Sequence, residues 1–235
     1  MSRPRKHHLQ LTLDQARRPD GKHGGWRPNA GRPRKHGSVS HDKRPALKRD
    51  FPQHVTLRLV PGIESIAREW LMKKIRACIK AAHKDTFRVV EFNVLSNHLH
   101  LITEARTAEA LARGMQGLEV RIARHLNSAL KRKGSLFAHR YHARYLKTPT
   151  ETRNALRYVL LNRKPHDTEK RFSTTWFDPC SSAAWFDGWS APLRAEAWWK
   201  HDLIEQSPPT APATTWLLTT GWKRLGLLRI DDHPA

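Results

Sequence analysis

The chain is short of cysteine and of acidic side chains. Cys78 and Cys180 are its only two cysteines, far apart and in no Cys-x-x-Cys spacing, which excludes a disulfide framework or a zinc ribbon and leaves two ordinary reduced thiols. There is no Walker A loop, no Gly-x-Ser-x-Gly elbow and no carboxylate pair beside the histidine-bearing strand described below. NTPase, hydrolase and two-metal nuclease chemistries are therefore disfavoured. No apolar run approaches the length of a membrane span, and no basic helix carries a wide aromatic face, so no membrane partner is expected. The opening "MSRPRKHHLQ" is charged and is not followed by the apolar core of a secretory signal, so a cytoplasmic, nucleoid-associated protein is expected.

Positive charge is what the chain has in excess. With 43 Lys and Arg against 21 Asp and Glu, the formal net charge is +22. Self-repulsion of that size works against compactness and points to a polyanionic partner, nucleic acid first. Residues 1–50 hold 14 basic and 4 acidic side chains, residues 169–235 hold 7 and 8, and the middle keeps 22 and 9. Three regions follow. Residues 1–50, rich in Pro, Gly, Arg and Lys without apolar periodicity, are expected to form a disordered basic arm. Residues 51–166 carry regular elements, and residues 167–235 form a tail holding seven of the nine tryptophans.

"HVTLRLV" from His54 alternates as a strand and ends at Pro61-Gly62. The next segment, residues 63–84, places Ile63, Ile66, Ala67, Trp70, Leu71, Ile75, Cys78 and Ile79 on one side of a helix. "FRVVEFNVL" and "HLHLITEA" are two strands around a Ser96-Asn97 turn. A long helix covers residues 107–133, with a basic last turn suited to the helix dipole and Gly134 as its stop. "RYHARYLK" is a fourth strand. Thr148-Pro149-Thr150-Glu151 then reads as a capping box with Pro at the first helical position, opening a third helix from about Pro149 to Asn162. The order defines an α+β chain. Its first six elements make a ferredoxin-like split βαβ antiparallel sheet with helices on one face, the other face being left for a ligand, and an extra C-terminal helix follows. The tail's tryptophans are expected to clasp it onto the domain, because indole buries a large area; stacking on single-stranded nucleic acid is the sharper alternative.

His98 and His100 stand two apart in a strand, so they project from the same face about 7 Å apart while Leu99 and Leu101 turn into the core. Two neutral imidazoles so placed can share one divalent cation. With 15 histidines in 235 residues one His-x-His is expected by chance. The weight lies in the context, an apolar hairpin strand where an unpartnered imidazole is costly to desolvate. In "TRNALRYVLLNRKP", Tyr158 and Asn162 are four apart and share a helix face, while Leu156, Val159 and Leu160 pack the helix down. A surface tyrosine followed by a helix-stop asparagine is the plainer account of that pair.

Taken in order, "LSNHLHL", a long helix, "FAHRYHARYLKTPTETRNALRYVLLN" and the Tyr158–Asn162 spacing resemble the single-tyrosine HUH transposases of the IS200-like type, specifically the REP-associated tyrosine transposase branch. The likeness covers about residues 51–166. It implies that His98 and His100 ligate Mg²⁺ or Mn²⁺ with Asn162 as third ligand, and that Tyr158 is the nucleophile. It further implies that DNA, single-stranded and hairpin, is cleaved and rejoined through a 5′-phosphotyrosine. One departure is visible: the family continues Asn-Pro-Val-Arg after the tyrosine helix, where this chain has Asn162-Arg163-Lys164-Pro165.

For holding DNA, "GRPRK" with Arg32, Arg34 and Lys35 resembles an AT-hook core, suited to a narrow A·T minor groove; a generic solvated basic arm is the alternative. Arg121 and Arg124 on the second helix, and Arg140 and Arg144 at the fourth strand, are candidate phosphate contacts. The protein is expected to act as a monomer or homodimer. A non-catalytic, domesticated nucleic-acid binder on the same fold is the competing reading, and an interaction protein working through the Trp-rich tail is a third.

Overall fold

The structure is a computed structural model, and it describes residues 51–162, 177–191 and 207–232. Strands β1 (Gln53–Arg58), β2 (Phe87–Val94), β3 (His98–Ala105) and β4 (His142–Tyr145) form one sheet in the order β2-β3-β1-β4. All three pairings are antiparallel. Helices α1 (Glu69–Lys80), α2 (Ala108–Ala129) and α3 (Pro149–Leu161) complete the domain. β3 lies between β1 and β2, which is the split βαβ arrangement expected for α+β chains of this element order.

The alternation of each strand sorts its side chains between two layers. Leu99 and Leu101 of β3, Val55 and Leu57 of β1, and Phe92 and Val94 of β2 face α1 and α2 in the first core. Helix α2 supplies Leu111, Met115, Leu118, Ile122 and Leu126 to it, a stripe at spacings of three and four. Gly114 lets that helix approach β2: a Cβ there would stand 2.2 Å from Phe87 Cγ.

Two helices differ from the periodicity-based expectation. α1 begins at Glu69 rather than Ile63. Gly62, at φ 82°, turns the chain, and Ile66 N–H donates to Ser96 O at 3.1 Å instead of entering a helical ladder. The buried stripe of α1 is Leu71, Met72, Ile75, Cys78 and Ile79, and Trp70, expected on the apolar side, is exposed. α2 ends at Ala129 with no basic residue in its last turn. Lys131, at φ 50°, breaks it three residues before Gly134.

The second face of the sheet is not wholly open. α3 and the tail cover part of it, burying Val90 and Ile102 with Leu156, Val159, Leu160, Phe177, Phe186 and Trp222. A sheet face with apolar Ile102 at its centre is more stable covered than wet. The Glu104 carboxylate anchors the tail by accepting from the backbone N–H and the hydroxyl of both Thr214 and Thr215 at 2.7–3.1 Å. Cys180–Ser182 runs along the outer edge of β2, through Val94 N–H to Cys180 O and Ser182 N–H to Phe92 O. That protects an otherwise free strand edge. The tail thus clasps the domain through Phe177, Phe186 and Trp222, while Trp216 remains exposed. Cys78 and Cys180 are both buried free thiols. No described helix is long and apolar enough to cross a membrane.

Candidate active site

The part of the second face that α3 reaches with Tyr158 holds the functional side chains. β3 register sets the rows: His100 faces Thr56 on β1 and Asn93 on β2, His98 faces Arg58, and Ile102 faces His54. Because alternate residues share a face, His98, His100, His54 and Thr56 all project to the side of α3. The imidazoles of His98 and His100 are 4.7 Å apart, centroid to centroid, and nearly perpendicular.

α3 delivers Tyr158 to this pair. Thr148 Oγ1 accepts from Glu151 N–H, and Glu151 Oε2 accepts from Lys147 N–H at 2.7 Å, so the helix start is capped from both sides. Further along, Asn93 Nδ2 donates to Val159 O at 2.8 Å, fixing the helix to β2 on the row of His100. With Leu156, Val159 and Leu160 packed inward, the half-buried Tyr158 ring meets His100 edge-on at 5.0 Å. Its centroid is 5.8 Å from that of His54. Asn162, the C-cap of α3, is 3 % exposed, and its Nδ2 has no hydrogen-bond partner among the described residues.

The electrostatics keep His100 and His54 neutral. Burial, with His54 and His98 alongside, pushes His100 down to about 3. Burial, with the Arg144 charge and His142 nearby, pushes His54 down to about 4. His98 Nδ1 lies 2.6 Å from Asn97 Oδ1, and His100 Nδ1 lies 3.2 Å from His54 Nε2 and 3.3 Å from Thr56 Oγ1. His100 Nε2 is buried with no hydrogen-bond partner among the described residues. A neutral His100 with its Nε2 left unpartnered, beside a second imidazole at His98, is chemistry that suits a divalent cation. No cluster of three His, Cys, Asp or Glu that could hold a metal occurs among the described residues; Asn162 is the third ligand that the family resemblance implies.

The other sequence candidates are dispersed. Arg144 projects on the histidine face, facing His54 in the β1–β4 register, and pairs with Glu151 at 3.0 Å. Arg140 precedes β4 and is half-buried. Arg121 and Arg124 sit on α2, whose layer lies on the opposite side of the sheet from the histidines. Arg32, Arg34 and Lys35 lie outside the described residues. Sequence reasoning passed over His54, Thr56 and Asn93. Their signal was present, as polar residues at alternate positions in otherwise apolar strands, but which of them meets His100 depends on strand register.

A four-stranded antiparallel α+β domain with paired histidines on a strand and a tyrosine on a following helix is the class this fold and site define. Residues 62–160 match the family model described as Transposase IS200 like, which bears out the family resemblance of the motifs. The matched stretch contains His98, His100 and Tyr158, while His54 and Asn162 fall outside it. Among solved structures, one described as the REP-associated tyrosine transposase bound to a REP hairpin is similar over 61 % of this chain and 82 % of its own. Its TM-score is 0.49 and its identity 16 %. No curated protein matches the chain.

Proposed function

We propose that this protein is a metal-dependent DNA strand transferase that cuts and rejoins single-stranded or hairpin DNA through Tyr158. The observation that carries the reading is the convergence of Tyr158 and His98 on His100, at 5.0 and 4.7 Å between ring centroids. The match of residues 62–160 to a transposase family supports the same class. His98 and His100, with Asn162, would hold Mg²⁺ or Mn²⁺. Bound there, the cation neutralises charge on the scissile phosphate.

The chain's own part is to present an oxygen nucleophile. Tyr158 Oη attacks phosphorus in line with the 3′-oxygen. The new O–P bond forms as the P–O3′ bond breaks; the phenol releases its proton to solvent, and the departing 3′-oxygen takes one up. A 5′-phosphotyrosine and a free 3′-OH result, and a later 3′-OH reverses the step to join a new strand without a nucleotide cofactor. The histidine face suits the reaction because burial holds His100 neutral and its Nε2 meets no hydrogen-bond partner among the described residues, leaving that lone pair for a cation. Arg144 and His142 stand beside it on β4 and would meet the DNA backbone. The basic arm would add contacts to A/T-rich duplex, and the protein would act at the nucleoid.

The test is a covalent-adduct assay. With Mn²⁺ and labelled single-stranded hairpins, the wild type should give a denaturation-resistant protein–DNA band. Tyr158→Phe should lose that band while retaining DNA binding. Steeply salt-dependent binding by the wild type with no adduct on any substrate would instead establish the non-catalytic binder on the same fold.

A further inference from the structure

His54 has no part in the family match, which begins at residue 62, yet its Nε2 lies 3.2 Å from His100 Nδ1. Three rings, His54, His100 and Tyr158, form a closed triangle with centroid separations of 5.2, 5.0 and 5.8 Å. His54 reaches it because β1 alternates: His54 and Thr56 share the α3 side of the sheet, while Val55 and Leu57 enter the other core. His100, one vertex of the triangle, has two nitrogens with different surroundings. Nδ1 lies 3.2 Å from His54 Nε2 and 3.3 Å from Thr56 Oγ1. Nε2 is buried and meets no hydrogen-bond partner among the described residues.

A neutral imidazole carries one proton, and the hydrogen bond made by one nitrogen decides which nitrogen keeps it. We infer that His54 is a positioning residue: its Nε2 accepts the Nδ1–H of His100, fixing the tautomer and ring orientation that leave the His100 Nε2 lone pair aimed at the site. His54 then carries its own proton on Nδ1. Thr56 Oγ1 is the weaker second acceptor, since its 3.3 Å separation is at the long end for a hydrogen bond to a hydroxyl oxygen. This arrangement is the outer-shell support that ligating histidines commonly receive from a carboxylate or carbonyl. Here a second imidazole supplies it. Without it, the proton of His100 is free to move to Nε2 and occupy the lone pair that a cation needs.

The inference rests on His98 and His100 being cation ligands, and its test does not require DNA cleavage. Long-range ¹H–¹⁵N correlation on histidine-labelled protein, with His100 assigned by His100→Gln, reads the tautomer directly in the metal-free chain. The wild type should show His100 protonated on Nδ1. His54→Phe keeps a ring of similar bulk but no acceptor, and should shift His100 toward the Nε2–H form. Mn²⁺ affinity should fall about 10- to 100-fold in His54→Phe. It should recover substantially in His54→Gln, whose amide oxygen can accept the same proton. Thermal unfolding of each variant identifies any loss of fold.

A wild-type His100 found protonated on Nε2 overturns the inference whatever the variants do. So does an unchanged His100 tautomer in a folded His54→Phe. A wild type with the Nδ1–H tautomer and the expected Mn²⁺ series, but no DNA adduct, would sustain the role of His54 while removing the strand-transferase reading.

Discussion

Glu91 shows what a single buried side chain costs this domain. It lies on β2 facing Ile102, 8 % exposed, with Ser182 Oγ 2.5 Å from its Oε2. Burial pushes its carboxyl up to about 8; the Ser182 hydrogen bond opposes that shift and Asp187 adds to it. The unfolded chain releases this proton near the ordinary glutamate value of about 4.5, the folded chain only near 8. Between those values the folded state binds more protons than the unfolded state, so stability falls as pH rises. It is fully present below 4.5 and this contribution is lost by about 8. Glu91→Gln keeps a group able to accept from Ser182 and cannot ionise. Its melting temperature should therefore exceed that of the wild type increasingly from pH 5 to 8, and a difference independent of pH would contradict the assignment. The role of Glu91, like those of His54 and Asn93, depends on strand register rather than on motif spacing. His98, His100 and Tyr158 announce themselves through motif spacing, whereas these three acquire meaning only from the residues opposite them in register.

At the level of elements, the start of α3 was readable and the start of α1 was not, and the contrast has a local cause. Thr148-Pro149-Thr150-Glu151 writes its own boundary: the Thr148 side chain satisfies a helix N–H and proline pre-sets the first turn. α1 has no side-chain cap at Arg68, and its beginning is set by the distant contact between Ile66 and Ser96. Apolar periodicity continued through residues 63–68 and could not register that contact. The α3 cap also aligns Tyr158 three turns on. Thr148→Ala should cost about 1 kcal/mol, read as a lower denaturant midpoint at unchanged m-value. If the cap matters for positioning, adduct yield should fall more than the small change in folded fraction explains. Equal loss of both would reduce the cap to a stability role.

Over the whole molecule, two properties decide how the protein works, the distribution of charge and the double-sided core. The +22 charge predicts salt-sensitive DNA binding, and the fold says which charges count. Arg144 shares the face of the histidines, while Arg124 stands on the α2 layer behind the sheet. Arg144→Ala should lower the slope of log affinity against log salt by about 0.7 on single-stranded DNA, and Arg124→Ala should leave it unchanged. An equal drop for both would mean that DNA wraps the helix layer as well.

The double-sided core makes the Trp-rich tail a structural part of the site rather than an appendage. Trp222 is 1 % exposed, donates to Leu218 O at 2.9 Å and stacks on Phe186 at 5.6 Å. Its cluster includes Leu156, Val159 and Leu160, the residues that seat the tyrosine helix. Truncating a buried indole costs about 3–5 kcal/mol, which for a domain of this size lowers the melting temperature by roughly 10 °C. Because the cluster spans tail, α3 and β3, Trp222→Ala should shift one cooperative transition and reduce Tyr158 adduct formation with it. A tail that merely decorated the domain would melt in a separate early step, with the main transition and the adduct untouched. Calorimetry alongside the adduct assay separates the two outcomes.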